Sequence, residues 1–246
     1  MNNLKYIGTG TGRCGTVCIA KFLTHIGIPC GHESIFDFAS EDIIKERIEN
    51  PNSRTYSECS VHLFANKEEK WIDPGKIIAD SSYLAVPYFH LVPNIPIIHI
   101  VRNPIDVISS YVLDFNYFQL KTPNKENPYN KNGYEEIIYK FLPNLSSMEN
   151  QITRAVWFYV KWNNQIEKEK EKRKYLRINI ENFDKNELCD FVQGNTLLAK
   201  TYKDDKNINS HKGEKTLTIN DIPKGHFKDI IYKKMIDYGY INNLTI

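Results

Sequence analysis

The stretch "KYIGTGTGRCGTVCIAKFL", residues 5–23, decides the fold class. An apolar run over residues 4–7 leads into a loop with four glycines, and apolar residues with helical spacing follow from 17 to 23. A strand, a glycine turn and a helix in that order direct several backbone N–H groups and the positive end of a helix at one point. The stretch therefore predicts an anion site at the first turn of the chain.

The end of this loop differs from that of a Walker-type nucleotide triphosphatase. In a Walker loop the last glycine is followed by lysine and then by serine or threonine. Here Gly15 is followed by Thr16 and Val17, and the only cation of the loop, Arg13, lies inside it. The pattern thus predicts an anion site, but it does not match the loop with which Walker-type enzymes act on ATP.

Length and charge narrow the class of protein. A chain of 246 residues favours one large α/β domain over residues 1–246. The net charge of +2 creates no general attraction for nucleic acid or membranes, so we expect anion binding to be local. The first strand begins too close to Met1 for a signal peptide, and the five cysteines form no CxxC pair. These features predict a reduced, cytoplasmic chain without a metal site.

Strand and helix patterns alternate along the chain. This alternation predicts a three-layer α/β/α fold with a mostly parallel central sheet, whose ligands gather at the carboxyl ends of the strands. The predicted strands are residues 4–7, 77–79, 97–101 and 175–180, with a very short one within 28–33. Residues 152–166 have one apolar helical face, and we expect 167–174 to form its solvated end. The polar stretch 121–133 reads as an excursion from the sheet, either a surface loop or part of an acceptor lid.

A second candidate anion site lies in "IIHIVRNPIDVISSYV", residues 97–112. A buried strand ends at Arg102, and Pro104 and Asp106 occupy positions typical of the start of a helix. Arg102 and Ser110 would converge on one phosphate if this helix packs back over the sheet. Pairing of Arg102 with Asp106 is the alternative.

The two motifs together, "GTGRCGT" and "RNPIDVISSY", resemble the sulfotransferases that use 3′-phosphoadenosine 5′-phosphosulfate (PAPS). The resemblance implies a fold of the P-loop nucleotide-binding type and covers residues 4–112, with looser likeness to about 215. It implies that the first loop holds the 5′-phosphosulfate and the second motif the 3′-phosphate, with a basic-glycine segment closing over the latter. The implied donor-binding residues are Gly12, Arg13, Cys14, Gly15, Thr16, Val17, Arg102, Ser110, Lys212 and Gly213. The chain departs from the family at Ile180, where a tyrosine facing the adenine is expected.

The chemistry implied by the resemblance explains why no lysine follows Gly15. A sulfuryl group carries less charge than a phosphoryl group, so loop amides and one cation, Arg13, can stabilise the leaving phosphate without a metal. An acceptor hydroxyl also needs a base. We rank Glu33 first, then His62, then His32, with Glu58 a further option. The expected acceptor is a small molecule or a carbohydrate, with no nucleic acid or membrane partner, and the expected product is adenosine 3′,5′-bisphosphate.

Two other functions stay open. Asp80 ends the apolar run "KIIAD". In a Walker-type enzyme, the carboxylate linked to magnesium also stands at the end of a buried strand. A P-loop nucleotide-dependent kinase is therefore the alternative. We expect instead that Asp80, with Ser81 and Ser82, caps the following helix or lies along the acceptor cleft. The third possibility is a non-catalytic nucleotide-binding module. Four aromatic residues after the second motif either line a cleft or pack in the core: Tyr111, Phe115, Tyr117 and Phe118.

Overall fold

The computed structural model describes residues 4–50, 74–119, 134–203 and 216–242. Within these ranges the centre of the protein is a sheet of five strands, all parallel, in the order β2-β3-β1-β4-β5. The strands are β1 Tyr6–Thr9, β2 Cys30–His32, β3 Ala79–Ser81, β4 Ile97–Val101 and β5 Tyr175–Asn179. The predicted α/β class with a parallel sheet is therefore confirmed.

Helices precede or follow each strand. In the described ranges they are α1 Thr16–His25, α2 Glu41–Glu49, α3 Pro104–Ser109, α4 Tyr134–Phe141, α5 Gln151–Glu167, α6 Lys185–Val192, α7 Thr196–Thr201 and α8 His226–Asp237. Shorter 3₁₀ segments span Pro74–Lys76, Tyr83–Leu91, Pro143–Ser147 and Lys168–Glu171, and a π-helical turn, Ser110–Asp114, continues α3. Among these helices, none is long and apolar enough to cross a membrane.

The sheet is covered on both faces. On β4, Ile97 and Val101 pack into one apolar core with α5, whereas Ile98 and Ile100 pack into another with α1. Helices α6 and α7 complete the layer of α1, and α3, α8 and the Tyr83–Leu91 segment belong to the layer of α5. Burial on both faces explains why a central parallel strand is apolar at nearly every position. The three-layer prediction is confirmed.

One polar side chain, His99, interrupts the apolar run of β4. Asn163 donates its side-chain N–H to the Tyr159 carbonyl, so its Oδ1 faces His99 Nε2 as an acceptor at 2.8 Å. His99 therefore carries its proton on Nε2, and Nδ1 accepts from the Tyr175 hydroxyl at 2.5 Å. Both ring nitrogens are satisfied, which makes a fully buried histidine tolerable in the core.

The helix starts follow the sequence signals. Asn103 caps α3 by accepting from the Ile105 amide at 2.9 Å, with Pro104 in the first turn, and Asn150 caps α5 by accepting from the Thr153 amide at 2.9 Å. The predicted helices at Pro104 and at 152–166 are confirmed.

The end of α5 is solvated at most positions, as predicted, with Glu169 as the exception. Its side chain is buried and forms ion pairs with Lys172 and Arg173. Arg173 also donates to backbone carbonyls of Val92 and Phe89, at the end of the Tyr83–Leu91 segment. Arg173 therefore ties the end of α5 to the end of the Tyr83–Leu91 segment. The polar excursion at 121–133 lies outside the described residues.

Candidate functional site

The strand order creates a crevice at the carboxyl edge of the sheet. Strands β1 and β4 are neighbours, but the chain leaves β1 toward β2 on one side and leaves β4 toward β5 on the other. In open α/β sheets, ligands bind where two neighbouring connections diverge in this way. The glycine loop follows β1 and Arg102 follows β4, so both predicted anion motifs border this crevice.

The start of α1 is suited to a negative charge. Gly15 stands at the N-cap position with a φ of 100°, no side chain caps the helix, and its first turn holds no acidic residue. Among the described residues, no acceptor is found for the amides of Thr16 and Val17. Uncapped amides and an uncompensated helix dipole together favour a bound anion.

Glycine is required at two positions of this loop. Gly12 and Gly15 have φ values of 72° and 100°, in the left-handed region that disfavours other residues. A Cβ on Gly15 would overlap the side chain of Ile180, and one on Gly12 would come within 2.7 Å of the Tyr111 hydroxyl. Ile180 thus packs directly against the loop. The Tyr111 hydroxyl in turn donates to the Thr11 carbonyl.

The two motifs meet at Arg13. Its Nε donates to Ser110 Oγ at 3.0 Å, and its backbone carbonyl accepts from Arg102 Nη1 at 3.1 Å. The Arg13 guanidinium also lies 4.1 Å from the centre of the Phe115 ring. Burial lowers the pKa of Arg13, and the nearby Arg102 lowers it further, but an arginine stays charged in a protein. Two permanent positive charges therefore stand together in a chain of nearly neutral net charge.

Cys14 contributes backbone rather than a reactive thiol. Its side chain is buried within the loop, and this burial raises the pKa of the thiol to about 12. A neutral thiol at this pKa is a poor nucleophile and a poor metal ligand. Within the described ranges, no group of three or more histidine, cysteine, aspartate or glutamate side chains is placed to hold a metal ion.

Two of the ranked bases stand side by side after β2. The ring Nε2 of His32 shares a hydrogen bond of 3.0 Å with Thr16 Oγ1 and lies 4.0 Å from Glu33 Oε1. Burial lowers the pKa of His32 to about 4, so the ring is neutral at pH 7. Glu33 is buried and adopts a left-handed φ of 52°. The structure thus links the candidate bases to the glycine loop through Thr16.

Asp80 has a different role from the one expected. Its Oδ1 accepts from the Ser34 amide at 3.1 Å, and its Oδ2 accepts from the amides of Ile35 and Phe36 at 3.0 Å each. Of the three residues expected to cap the following helix, Ser82 does so, because its hydroxyl accepts from the Leu84 amide at 3.1 Å. The prediction is confirmed for Ser82 and wrong for Asp80. Asp80 instead anchors the turn that follows Glu33.

The aromatic residues after the second motif divide between cleft and core. Tyr111 and Phe118 are fully buried and pack on Phe158, whereas Phe115 is exposed over Arg13. Four other residues of interest cannot be placed, since they lie outside the described ranges: Glu58, His62, Lys212 and Gly213.

Sequence reasoning missed two residues near Arg102. Glu181 Oε1 lies 3.9 Å from Arg102 Nε, and Tyr240 donates its hydroxyl to Glu181 Oε2 at 2.5 Å. Asp106, the alternative partner named from the sequence, lies 3.8 Å from Arg102 Nη2. A signal for Glu181 existed, because it follows a predicted strand at the same sheet edge. Nothing in the sequence pattern points to Tyr240, which follows α8.

Comparisons with known proteins add no relative: the sequence matches no protein-family model and no curated protein.

Proposed function

We propose that this protein is a sulfotransferase that moves a sulfuryl group from PAPS to a hydroxyl of a small-molecule or carbohydrate acceptor. One observation carries the proposal: Arg13, Arg102 and Ser110, from two separate motifs, form a single cluster beside the uncapped start of α1. A ligand with two anionic groups on one nucleoside fits such a cluster, because arginine forks and helix amides both bind phosphate-like oxygens. The resemblance of both motifs to the sulfotransferase family points to the same ligand.

Each residue has a distinct role in the proposed reaction. When bound, the donor supplies the sulfuryl group and a phosphate as its leaving group. Arg13 and the amides of α1 stabilise the negative charge on that phosphate, with the Thr16 hydroxyl as a further donor. Arg102 and Ser110 bind the 3′-phosphate. Glu33 accepts the proton of the acceptor hydroxyl, and its neighbour His32 fixes Thr16.

The surroundings of Asp80 favour this proposal over a nucleotide kinase. The kinase alternative requires a carboxylate at the end of β3 that binds magnesium. Both oxygens of Asp80 already accept from backbone amides of the turn after β2. Asp80 is fully buried and these bonds use three of the roughly four lone-pair sites of its carboxylate, which disfavours magnesium binding there.

A comparison of thermal stabilisation tests the donor class. The ligands are adenosine 3′,5′-bisphosphate, ADP and ATP with Mg²⁺, at equal concentrations. A ligand at about a hundred times its dissociation constant stabilises the fold by about 2.7 kcal/mol, which gives a clear rise in Tm. We expect the bisphosphate to give the largest rise, with or without metal. A larger rise with ATP and Mg²⁺ would support the kinase, and binding of the bisphosphate without transfer to any acceptor would support the non-catalytic module.

The same assay on Arg102→Ala tests the 3′-phosphate role. Loss of a charged hydrogen-bond donor should lower the affinity for the bisphosphate by about tenfold or more and leave the affinity for ADP unchanged, because only the bisphosphate carries a 3′-phosphate. Arg177→Ala is the matched control, since it removes the same charge from mid-strand β5. Equal losses for both nucleotides would remove Arg102 from this role.

A further inference from the structure

Glu181 is held beside Arg102 by the end of β5. One residue beyond the strand, the Ile180 amide still donates to the Val101 carbonyl at 3.0 Å, so β5 keeps its register with β4. The Asn179 side chain then accepts from the Glu181 amide at 3.1 Å and turns the chain. Glu181 is therefore fixed at the carboxyl edge of the sheet, next to the residue that follows β4.

The carboxylate of Glu181 occupies a set of donors that suits an anion. Its Oε1 accepts from the Asn103 amide at 3.2 Å and lies 3.9 Å from Arg102 Nε, and its Oε2 accepts from the Tyr240 hydroxyl at 2.5 Å. A guanidinium, a backbone N–H and a hydroxyl are donors that proteins commonly use for phosphate oxygens. The donors come from two distant parts of the chain, the segment after β4 and the segment after α8, so the site exists only in the folded protein.

The hold of Arg102 on this carboxylate is weak. Its distances to Glu181 and Asp106, 3.9 and 3.8 Å, exceed those of a hydrogen bond, and both carboxylate side chains are more than a third exposed. Exposed ion pairs of this kind contribute at most about 1 kcal/mol. A phosphate that carries two charges can therefore replace the carboxylate, whereas a weaker anion competes poorly with it.

We propose that Glu181 is a specificity-determining residue that stands in the 3′-phosphate subsite until a dianionic phosphate displaces it. This inference rests on the proposed function, because it concerns the phosphate that Arg102 would bind. Glu181 lowers the affinity for a nucleotide with a 3′-phosphate, and it keeps anions of lower charge away from Arg102. Displacement of Glu181 also removes the partner of the Tyr240 hydroxyl, which couples the occupied site to the segment after α8.

Calorimetric titration of Glu181→Gln tests this role. The probes are adenosine 3′,5′-bisphosphate and adenosine 5′-monophosphate, which differ only in the 3′-phosphate, at low ionic strength. Glutamine keeps the size of the side chain but removes the charge and one of its two acceptor oxygens, so it should occupy the subsite less firmly than glutamate. We therefore expect the bisphosphate to bind about three- to tenfold more tightly and the monophosphate to be unchanged. Glu187→Gln on α6, an exposed residue, is the matched control and should leave both affinities unchanged.

The outcomes separate this inference from the proposed function. If the unmodified protein binds the bisphosphate no better than the monophosphate, the proposed function fails. If it prefers the bisphosphate but Glu181→Gln leaves that preference unchanged or reduces it, Glu181 does not compete for the subsite and the inference is overturned. An equal gain for both nucleotides would overturn it as well, because the effect would then not depend on the 3′-phosphate.

Discussion

Glu33 and His32 are sequence neighbours with different capacities to act as a base. The His32 ring is engaged with the Thr16 hydroxyl, and its lowered pKa, about 4, makes it a weak proton acceptor at pH 7. Glu33 is a carboxylate at the carboxyl edge of the sheet, held in a left-handed backbone conformation that an ordinary strand end would not require. Such a conformation persists only where surrounding contacts impose it, and it is common at functional sites.

Glu33→Gln should separate proton transfer from donor binding. The change keeps the size of the side chain, so the affinity for adenosine 3′,5′-bisphosphate should not change. Removal of a general base lowers turnover by roughly a hundredfold or more. The measurement is transfer of a radiolabelled sulfuryl group from PAPS to a panel of hydroxyl acceptors, beside calorimetric titration of the bisphosphate. His32→Gln is the companion variant: if it abolishes transfer while Glu33→Gln retains full turnover, the base is His32.

Single residues also show what the sequence could and could not reveal. Arg102 and Ser110 were predicted to converge on one phosphate. In the structure both contact Arg13, Ser110 at the Arg13 side chain and Arg102 at the Arg13 backbone carbonyl, a meeting that requires β1 and β4 to be neighbours. Their convergence on a phosphate stays a prediction. Glu181 follows a recognisable strand, but its place beside Arg102 depends on β5 pairing with β4, and Tyr240 depends on how α8 packs rather than on local pattern.

At the scale of elements, two strands extend beyond the apolar runs that predicted them. Strands β1 and β3 were predicted two residues too early, at 4–7 and 77–79, and end instead at Thr9 and Ser81. Apolar runs mark the part of a strand that packs between helices, whereas the carboxyl end of β3 is polar because Asp80 and Ser81 bond to the backbone of neighbouring segments. Pairing in register, with Tyr6 beside Ala79, extends the strands through these polar residues. The ends of β4, which stay apolar, were predicted correctly.

The turn after β2 depends on a carboxylate from β3. Asp80 accepts from three consecutive amides, Ser82 Oγ donates to the Phe36 carbonyl at 2.7 Å, and Asp37 forms an ion pair of 2.9 Å with Arg47 of α2. All of these groups are buried. Two neighbouring elements thus fix the segment that begins with Glu33, and this pre-organisation is what a catalytic base requires.

Asp80→Asn should loosen this turn. An asparagine keeps one acceptor oxygen but places an NH₂ group against a backbone N–H, which leaves a buried amide unsatisfied and costs about 1.5–3 kcal/mol. We expect a lower free energy of unfolding by chemical denaturation and faster hydrogen exchange of the amides of Ser34, Ile35 and Phe36. Asp190→Asn, at an exposed position of α6, is the control. Unchanged stability together with loss of a Mg²⁺-dependent response to ATP would instead assign Asp80 to a metal site.

At the scale of the whole molecule, strand order is the property that assembles the site. The sequence predicted two anion motifs at the carboxyl edge of a parallel sheet, but no local pattern states that β1 and β4 are neighbours with diverging connections. That order depends on which apolar face of the sheet the helices of each connection pack against. In the described part of the chain, α1, α6 and α7 cover one face of the sheet, while α3, α5 and α8 cover the other.

The packing of both layers also buries two neutral histidines, and this links the stability of the whole fold to pH. His32 lies at the crevice and His99 in the middle of β4, and burial lowers the pKa of each to about 4. In the unfolded chain a histidine titrates near 6.5. Below that pH the unfolded state binds protons that the folded state does not, so the stabilisation is complete above about 6.5 and is lost as the pH falls toward 4.

We therefore expect the free energy of unfolding to fall between pH 7 and pH 4, by up to about 3 kcal/mol for each histidine. Burial raises the pKa of Glu167, but hydrogen bonds from Lys234 and Tyr238 outweigh burial and the net shift is downward, so this carboxylate adds to the loss of stability only at the acid end of the window, below its ordinary pKa of 4.5. The measurement is urea denaturation at a series of pH values. His99→Gln should flatten the slope by about one proton, whereas His226→Gln, which removes an exposed histidine, should leave the slope intact. A slope in His99→Gln as steep as in the unmodified protein would mean that β4 accommodates a charged imidazole, and the network through Asn163 and Tyr175 would then have to rearrange on protonation.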